Sequence, residues 1–379
     1  MKRIVFFGGG VVAERNLNLR PNFIVDNNID MHGDIVYGLE VKPPSILINN
    51  VQEYDIVICT TSVGEVRKQL ESYGYTWDLN IRVANELTER LEIDNLEESK
   101  FKFLISCGLP STADSFSGGG IYAISETDTY PIVNKIYEGN THGLIRFENG
   151  YVFSCKGKGL VYLDNKFKEI NVIKLRQGLR PHGIRRYNNL WVLASSNNDS
   201  IIAVNDKGEE IFEYRFSDKI DTFGSAQHHC NDLDIVGNFA YVSMFSLSGN
   251  WKRNCFDGGI MEINLLNGER RALIDNLTMP HNVTCDESGL KVLNSFKGTF
   301  LANNFSVLAT LPGFVRGYDS DDTYYYLGES KNRNFSRIKT ERTPVSIDTK
   351  ITIVNKKFGF CRSIYLNKPI SEIHSIIKI

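Results

Sequence analysis

Histidine is scarce in this chain, seven residues in 379, yet three of the seven follow one local rule: Thr141-His142-Gly, Pro181-His182-Gly and Pro280-His281-Asn. A fourth segment, His228-His229-Cys-Asn231-Asp232, places two more histidines just upstream of the same phase. Neutral imidazoles that converge from distant parts of a chain suit a divalent transition metal, because each offers a lone pair at about 2.0–2.1 Å without adding charge. His142, His182, His228, His229 and His281 are therefore the expected ligands of an ion such as Fe, Mn, Ni or Zn. The competing reading makes each His-Gly a turn device, with the ring bonded to neighbouring backbone. Arg316, in Val315-Arg-Gly-Tyr, takes the histidine position in a further copy and can clamp a carboxylate or phosphate; Asp232 and Glu329 are the candidate proton-transferring carboxylates. Glu329, in Gly328-Glu-Ser-Lys-Asn-Arg333, is expected close to Arg316, with Lys331 and Arg333 at the rim. His32 and His374 read as surface or packing residues, and Trp251, in a polar loop, as a possible stacking platform for a sugar.

The elements that must carry these residues are short β runs broken by Gly, Asn and Asp turns, from Phe101 to the C-terminus. Pro181–Tyr187, Leu190–Ala194, Ser200–Asn205 and Glu210–Phe216 form one four-strand copy, and similar copies begin near Thr141, Asn231, Pro280 and Val315. A sixth copy is split: Ser371–Ile377 joins runs at Phe103, Gly120 and Ile132, so the two ends of the domain close the ring and leave no open sheet edge. The expected architecture is an all-β six-bladed propeller over residues 99–379, with the start of every innermost strand on one axis.

Residues 1–98 read differently. Arg3–Gly8 is a short apolar strand followed by Gly8-Gly9-Gly10-Val-Val-Ala13 and a helix-compatible stretch to about Leu19; the next apolar run ends in Asp26. Gly8, Gly10 and Ala13 fit the glycine turn that cradles a diphosphate, and Asp26 sits where a ribose-binding carboxylate belongs. Tyr54–Thr60 reads as a further buried strand and Val63–Tyr73 as an amphipathic helix. The expectation is a small α/β Rossmann-like domain that binds a nucleotide or nucleotide sugar, or that is purely structural.

Composition bounds the partners. Forty-three basic and forty-five acidic side chains leave a net charge of −2, which gives no field for nucleic acid or an anionic membrane. No run reaches the roughly 18–20 apolar residues of a membrane span, and Met1-Lys2-Arg3 leads straight into a strand, so a cytoplasmic protein is expected. Seven scattered cysteines without a C-x-x-C pair read as reduced thiols, and homo-oligomerisation stays open. No Gly-x-Ser-x-Gly elbow, Walker loop or His-Glu-x-x-His helix is present.

Phe23-Ile-Val-Asp26-Asn-Asn28, Gly33, Gly38, Val41 and Pro43-Pro44 resemble the Rossmann-like modules attached to bacterial sugar-modifying enzymes of capsule and O-antigen pathways. The His-Gly, His-His-Cys-Asn-Asp and Pro-His-Asn set resembles an uncharacterised bacterial propeller family. Asn231-Asp232 and the blade count are distantly similar to gluconolactonase-like propellers, and the histidine-rich axis to that of oligogalacturonate lyases; the latter similarity is architectural. These resemblances imply a metal-dependent enzyme on a sugar or nucleotide sugar, of the isomerase, epimerase, lyase or lactonase type, in surface-polysaccharide synthesis. A non-catalytic propeller that binds a glycan or protein is the alternative, and an NAD-dependent sugar oxidoreductase is the third, ranked lowest because no catalytic Tyr-x-x-x-Lys pair accompanies the glycine turn.

Overall fold

The computed structural model describes residues 2–109, 118–331, 345–366 and 369–379. Arg333 lies outside them. The chain divides into two compact units, Met1–Ser99 and Lys100–Ile379.

The first unit holds a six-stranded mixed sheet. Strands Phe23–Val25, Arg3–Phe7, Tyr54–Ile58 and Ile81–Val83 run parallel side by side, Leu39–Lys42 adds a parallel neighbour to Phe23–Val25, and Ile35–Val36 pairs antiparallel at the edge. The period of two along Arg3–Phe7 explains the two faces: Val5 and Phe7 pack with Val63, Val66 and Leu70, whereas Phe6 packs with Ala13, Ile24 and Val57. Helices are few here: Val11–Arg15, Val63–Ser72 and Thr88–Glu98. The expected helix to Leu19 is one turn of α-helix followed by a 3-10 turn at Leu17–Leu19.

The second unit is a six-bladed propeller of six four-stranded antiparallel sheets. The innermost strands are Thr141–Phe147, Pro181–Tyr187, Cys230–Val236, Pro280–Asp286, Phe314–Ser320 and Ser375–Lys378, which we number as blades one to six. Blade six is the split one, in the order Ser375–Lys378, Lys102–Cys107, Gly120–Ser125, Ile132–Glu138. Its innermost strand comes from the C-terminal end and its other three from residues 102–138.

In blades one to five the pairing of the innermost strand with its neighbour slips near the strand's start, at His142/Leu144, Pro181/Gly183, Cys230/Leu233, His281/Thr284 and Val315/Tyr318. A bulge bends its strand and re-aims a side chain. Here it recurs at the phase that carries the histidines and Arg316. Directly below the bulges the innermost strands touch one another closely. A Cβ on Gly143, whose φ is +24°, would stand 2.6 Å from the carbonyl oxygen of His182, and one on Gly183 2.7 Å from the Cα of Asp232. Only a residue without a side chain fits between these backbones.

Gly183→Ala forces backbone atoms rather than a flexible side chain to move, so we expect a loss of about 1–3 kcal/mol, read as a fall in Tm of several degrees. Gly10→Ala, where nothing stands within 4 Å of the added Cβ, should leave Tm unchanged. A thermal melt of both variants checks the pair.

Candidate functional site

Most of the expected residues meet at the bulged end of the axis. The imidazoles of His142 and His182 stack in parallel, ring centres 4.3 Å apart and planes 8° from coincidence. His374 stands 4.1 Å from His142 and 5.8 Å from His182, and His229 stands 5.7 Å from His182. His374 therefore belongs to the cluster, contrary to its reading as a packing histidine. It sits just before the closing strand, in a blade without the bulge, so the His-Gly signature does not mark it.

His182 has the most informative environment. Its Nδ1 lies 3.0 Å from Oδ1 of Asn231, whose amide nitrogen is turned to the carbonyls of His229 and Pro280 at 3.3 and 3.5 Å. An amide oxygen only accepts, so Nδ1 carries the proton and Nε2 keeps its lone pair. That Nε2 is buried and has no hydrogen-bond partner among the described residues. Burial, reinforced by His142 and Arg180 nearby, holds the ring well below the usual histidine pKa.

His281 is spent differently. Its Nε2 accepts from Nε and Nη2 of Arg316 at 2.9 and 2.7 Å, and its Nδ1 faces the Met279 carbonyl and the Ser295 hydroxyl at 3.0 and 2.8 Å. Burial, then the Arg316 charge, pushes its pKa well below the usual range. Arg316 continues to Glu372, with Nη1 3.6 Å from one carboxylate oxygen, and the other oxygen is 3.5 Å from Nε2 of His374. Four buried groups from blades four, five and six thus form a chain: His281, Arg316, Glu372, His374. Gly108 borders it, since a Cβ there would stand 2.4 Å from Nε2 of His374 and 3.3 Å from Nε2 of His142.

His229 reaches the cluster from a turn in which Asp199 accepts the backbone N–H groups of Gln227, His228 and His229. With φ at +54° it lies flat against Trp251, 4.4 Å between ring centres. The Lys252 ammonium stands 4.3 Å over the Trp251 ring, so that indole is engaged by His229 and Lys252 rather than offered to a sugar.

Three expectations are corrected. His228 turns away from the axis: its ring nitrogens bond the Ser246 carbonyl and the Ser217 hydroxyl at 2.9 and 2.8 Å. Glu329 is fully buried inside blade five, where its carboxylate accepts from the Gly313 N–H at 2.6 Å and Thr352 Oγ1 at 2.5 Å beside Lys350. The carboxylate beside Arg316 is Glu372. Asp232 lies at the level of close strand contact, its Oδ2 accepting from the Asn282 N–H at 2.9 Å, and it faces the other half of the axis. Burial pushes its carboxyl pKa up.

The donors do not fit a metal as expected. A ligating lone pair lies in its ring plane, so the parallel planes of His142 and His182 cannot meet at one ion. Both nitrogens of His281 are bonded and His228 points elsewhere. Among the described residues, no group of three or more His, Cys, Asp or Glu is arranged to hold a metal.

The glycine turn of the first unit does not fit a diphosphate either. Asp26 turns one carboxylate oxygen to the Gly9 N–H at 3.0 Å and the other to the Asn28 N–H at 2.9 Å. The Met31 side chain sits over Gly9, 3.1 Å from where its Cβ would be. Gly8 and Gly10 flank a turn whose central N–H is already taken by an anion, and the next helix has five residues. His32 bonds the Asp26 carbonyl at 2.8 Å, so Asp26 ties this loop together. Cys59, Cys107, Cys155 and Cys230 are buried packing thiols; Cys255 and Cys361 are exposed. No helix among the described residues is long and apolar enough to cross a membrane.

Because His182 and His281 are held neutral in the fold but titrate normally once unfolded, stability is fully present above the ordinary histidine pKa of about 6.5 and falls as pH drops below it, by up to roughly 1.4 kcal/mol per pH unit for each. Chemical denaturation between pH 8 and 5 should show this slope, and His281→Gln should reduce it.

Residues 220–379 match a family profile described as "Domain of unknown function (DUF4915)". No curated protein matches the chain. A chain in the crystal structure of a nidogen/laminin complex is similar at 14% identity and a TM-score of 0.50, covering 73% of this chain and 97% of that one. A protein of unknown function from Bacteroides caccae is similar at 15% identity and a TM-score of 0.50, covering 74% and 99%. The calcium-binding protein regucalcin from Agrobacterium tumefaciens str. C58 has a TM-score of 0.42 at 8% identity, covering 59% and 73%. For the two structures with a TM-score of 0.50, at 14% and 15% identity, the likeness is one of fold alone.

Proposed function

We propose that the bulged end of the propeller axis is an acid–base active site for a small sugar-type substrate, attacking a C–H bond next to a carbonyl or carboxylate. The observation that carries this reading is His182: a buried neutral imidazole with its Nδ1–H fixed on Asn231 and a bare Nε2 lone pair. Such a group is a base already oriented and desolvated, and its depressed pKa keeps it unprotonated at neutral pH. When it takes the proton, the C–H pair passes into the neighbouring carbonyl. His374, beside the Glu372 carboxylate, is the second proton-transferring group, and Arg316 and Glu372 position it. Returning the proton to the other face or the next carbon gives an epimer or isomer; passing it to a β-oxygen as that C–O bond breaks gives elimination. The sugar class is carried from the sequence resemblance of residues 23–44 and not from the first unit's glycine turn, which Asp26 occupies.

The His281–Arg316 contact favours a second reading, in which the axial side chains only pin blades together and the propeller binds a glycan or protein without chemistry.

The two readings separate in heavy water. With UDP-glucuronate, glucuronate and galacturonate as probes, each of which carries a C5–H next to its carboxylate, the acid–base site should exchange that C–H for deuterium, followed by proton NMR. His182→Gln should slow the exchange by about 100-fold or more. No exchange with any probe, or equal exchange in the variant, would support the pinned propeller.

A further inference from the structure

Glycines recur where the blades meet at the axis, and not all for one reason. At Gly143 and Gly183 an added Cβ would strike backbone: the His182 carbonyl oxygen at 2.6 Å and the Cα of Asp232 at 2.7 Å. At Gly108, just past the strand Lys102–Cys107, the three nearest atoms belong to imidazoles. They are Nε2 and Cδ2 of His374, at 2.4 and 3.0 Å, and Nε2 of His142, at 3.3 Å. The φ of Gly108 lies outside the left-handed range, so nothing in that angle asks for glycine. What the position does not tolerate is an atom where the rings stand.

A clash at Gly108 has one way out. The backbone is pinned on both sides by residues at the start of blade one: the Cys107 N–H donates to Oγ1 of Thr141 at 3.2 Å, and the Leu109 N–H to Oδ1 of Asn140 at 3.0 Å. The ring must therefore give. Ordinary van der Waals contact begins near 3.4 Å, so Nε2 of His374 has to retreat by about 1 Å, a displacement that can cost on the order of 100-fold when it falls on a reacting group. His374 has little slack for this. It is buried, its ring centre is 4.1 Å from that of His142, and its Nε2 is 3.5 Å from Glu372. A retreat from Gly108 changes its distance to His142 or to Glu372, the two contacts that define its place in the cluster.

We infer that Gly108 is a positioning residue of the histidine cluster: it is glycine so that His374 can stand against both Glu372 and His142. The placement is a property of the fold; its consequence for proton transfer rests on the acid–base reading above. Glycine at 143 and 183 lets neighbouring strands approach, whereas glycine at 108 keeps a ring in place, and substitution separates the two roles. Gly183→Ala has to move backbone. Gly108→Ala has to move one imidazole and leaves the strands where they are.

The test compares Gly108→Ala, His374→Ala and the double variant Gly108→Ala, His374→Ala on the full chain. Each is melted, and the first is also followed by long-range nitrogen–proton NMR of 15N-labelled histidine. In Gly108→Ala the ring signals of His374 and His142 should shift while those of His32 and His228 stay in place, with Tm lowered by a few degrees. In the double variant the imidazole is gone and the added methyl finds room, so Tm should match that of His374→Ala. If Gly108→Ala alone does not fold, that match still decides the question. With the uronate probes, Gly108→Ala should slow C–H exchange by about tenfold or more. Unmoved His374 signals, an equal fall in Tm with and without the His374 ring, or a wild-type exchange rate despite a moved ring would each overturn the inference. Absence of exchange in the unaltered protein would count against the acid–base reading instead, and the NMR and melting results would still decide the placement.

Discussion

Six sheets that meet at an axis each bring an unpaired edge to it. The innermost strand of a blade pairs outward with its own sheet, so its inward N–H and C=O groups have no ladder partner and are too enclosed for ordinary solvation. In this propeller the next blade supplies the missing partner through side chains. Asp232 accepts the N–H of Asn282, Asp234 that of Cys285, the Asn282 side chain that of Gly317, Asp319 that of Lys378, and the Ser375 hydroxyl that of Leu144. These links step from blade three to four, four to five, five to six and six to one. Polar residues on the axis therefore exist first to satisfy backbone, and only what they leave over is available for chemistry.

That distinction separates the two halves of the axis and sorts the residues within each. His281 spends both nitrogens on holding Met279, Ser295 and Arg316, while Asn231 spends its amide on two carbonyls and on His182. Those commitments leave His182 with one nitrogen anchored and the other bare. They also place the Glu372 carboxylate between a guanidinium and the His374 imidazole in a site that none of the neighbouring sheets could build alone. Ring closure by the C-terminal strand and assembly of the site are the same event, because Glu372 and His374 immediately precede that strand.

Much of this was legible in the sequence. The recurrence of His-Gly and His-Asn at one phase fixed both the repeat and the end of the strand that faces the axis, since only a repeated structural position keeps such a phase. The split blade came from the need to close a ring. What the repeat could not show is direction. His228 and His229 are adjacent, yet a positive φ at His229 and the Asp199 carboxylate beneath the turn send one ring to the axis and the other to Ser217 and Ser246. Glu329 and Glu372 both sit near Arg316 by register or by space, but the strand pairing that brings Glu329 opposite Val315 leaves its side chain inside its own blade. Asp26 matched its motif in position, while its bond to Gly9 depends on a loop conformation that the motif does not encode.

Proton transfer at the bulged end stands or falls with His182 as a neutral imidazole, protonated on Nδ1 and bare at Nε2 at neutral pH. Long-range nitrogen–proton correlation NMR on protein labelled with 15N-histidine reads the tautomer of each ring directly, with His182→Gln providing the assignment. The expected spectrum holds one buried histidine whose Nδ1 carries the proton and whose Nε2 shows the unprotonated shift, unchanged from pH 8 to pH 6. A His182 ring protonated on Nε2, doubly protonated near neutrality, or shifted by a bound metal would contradict it.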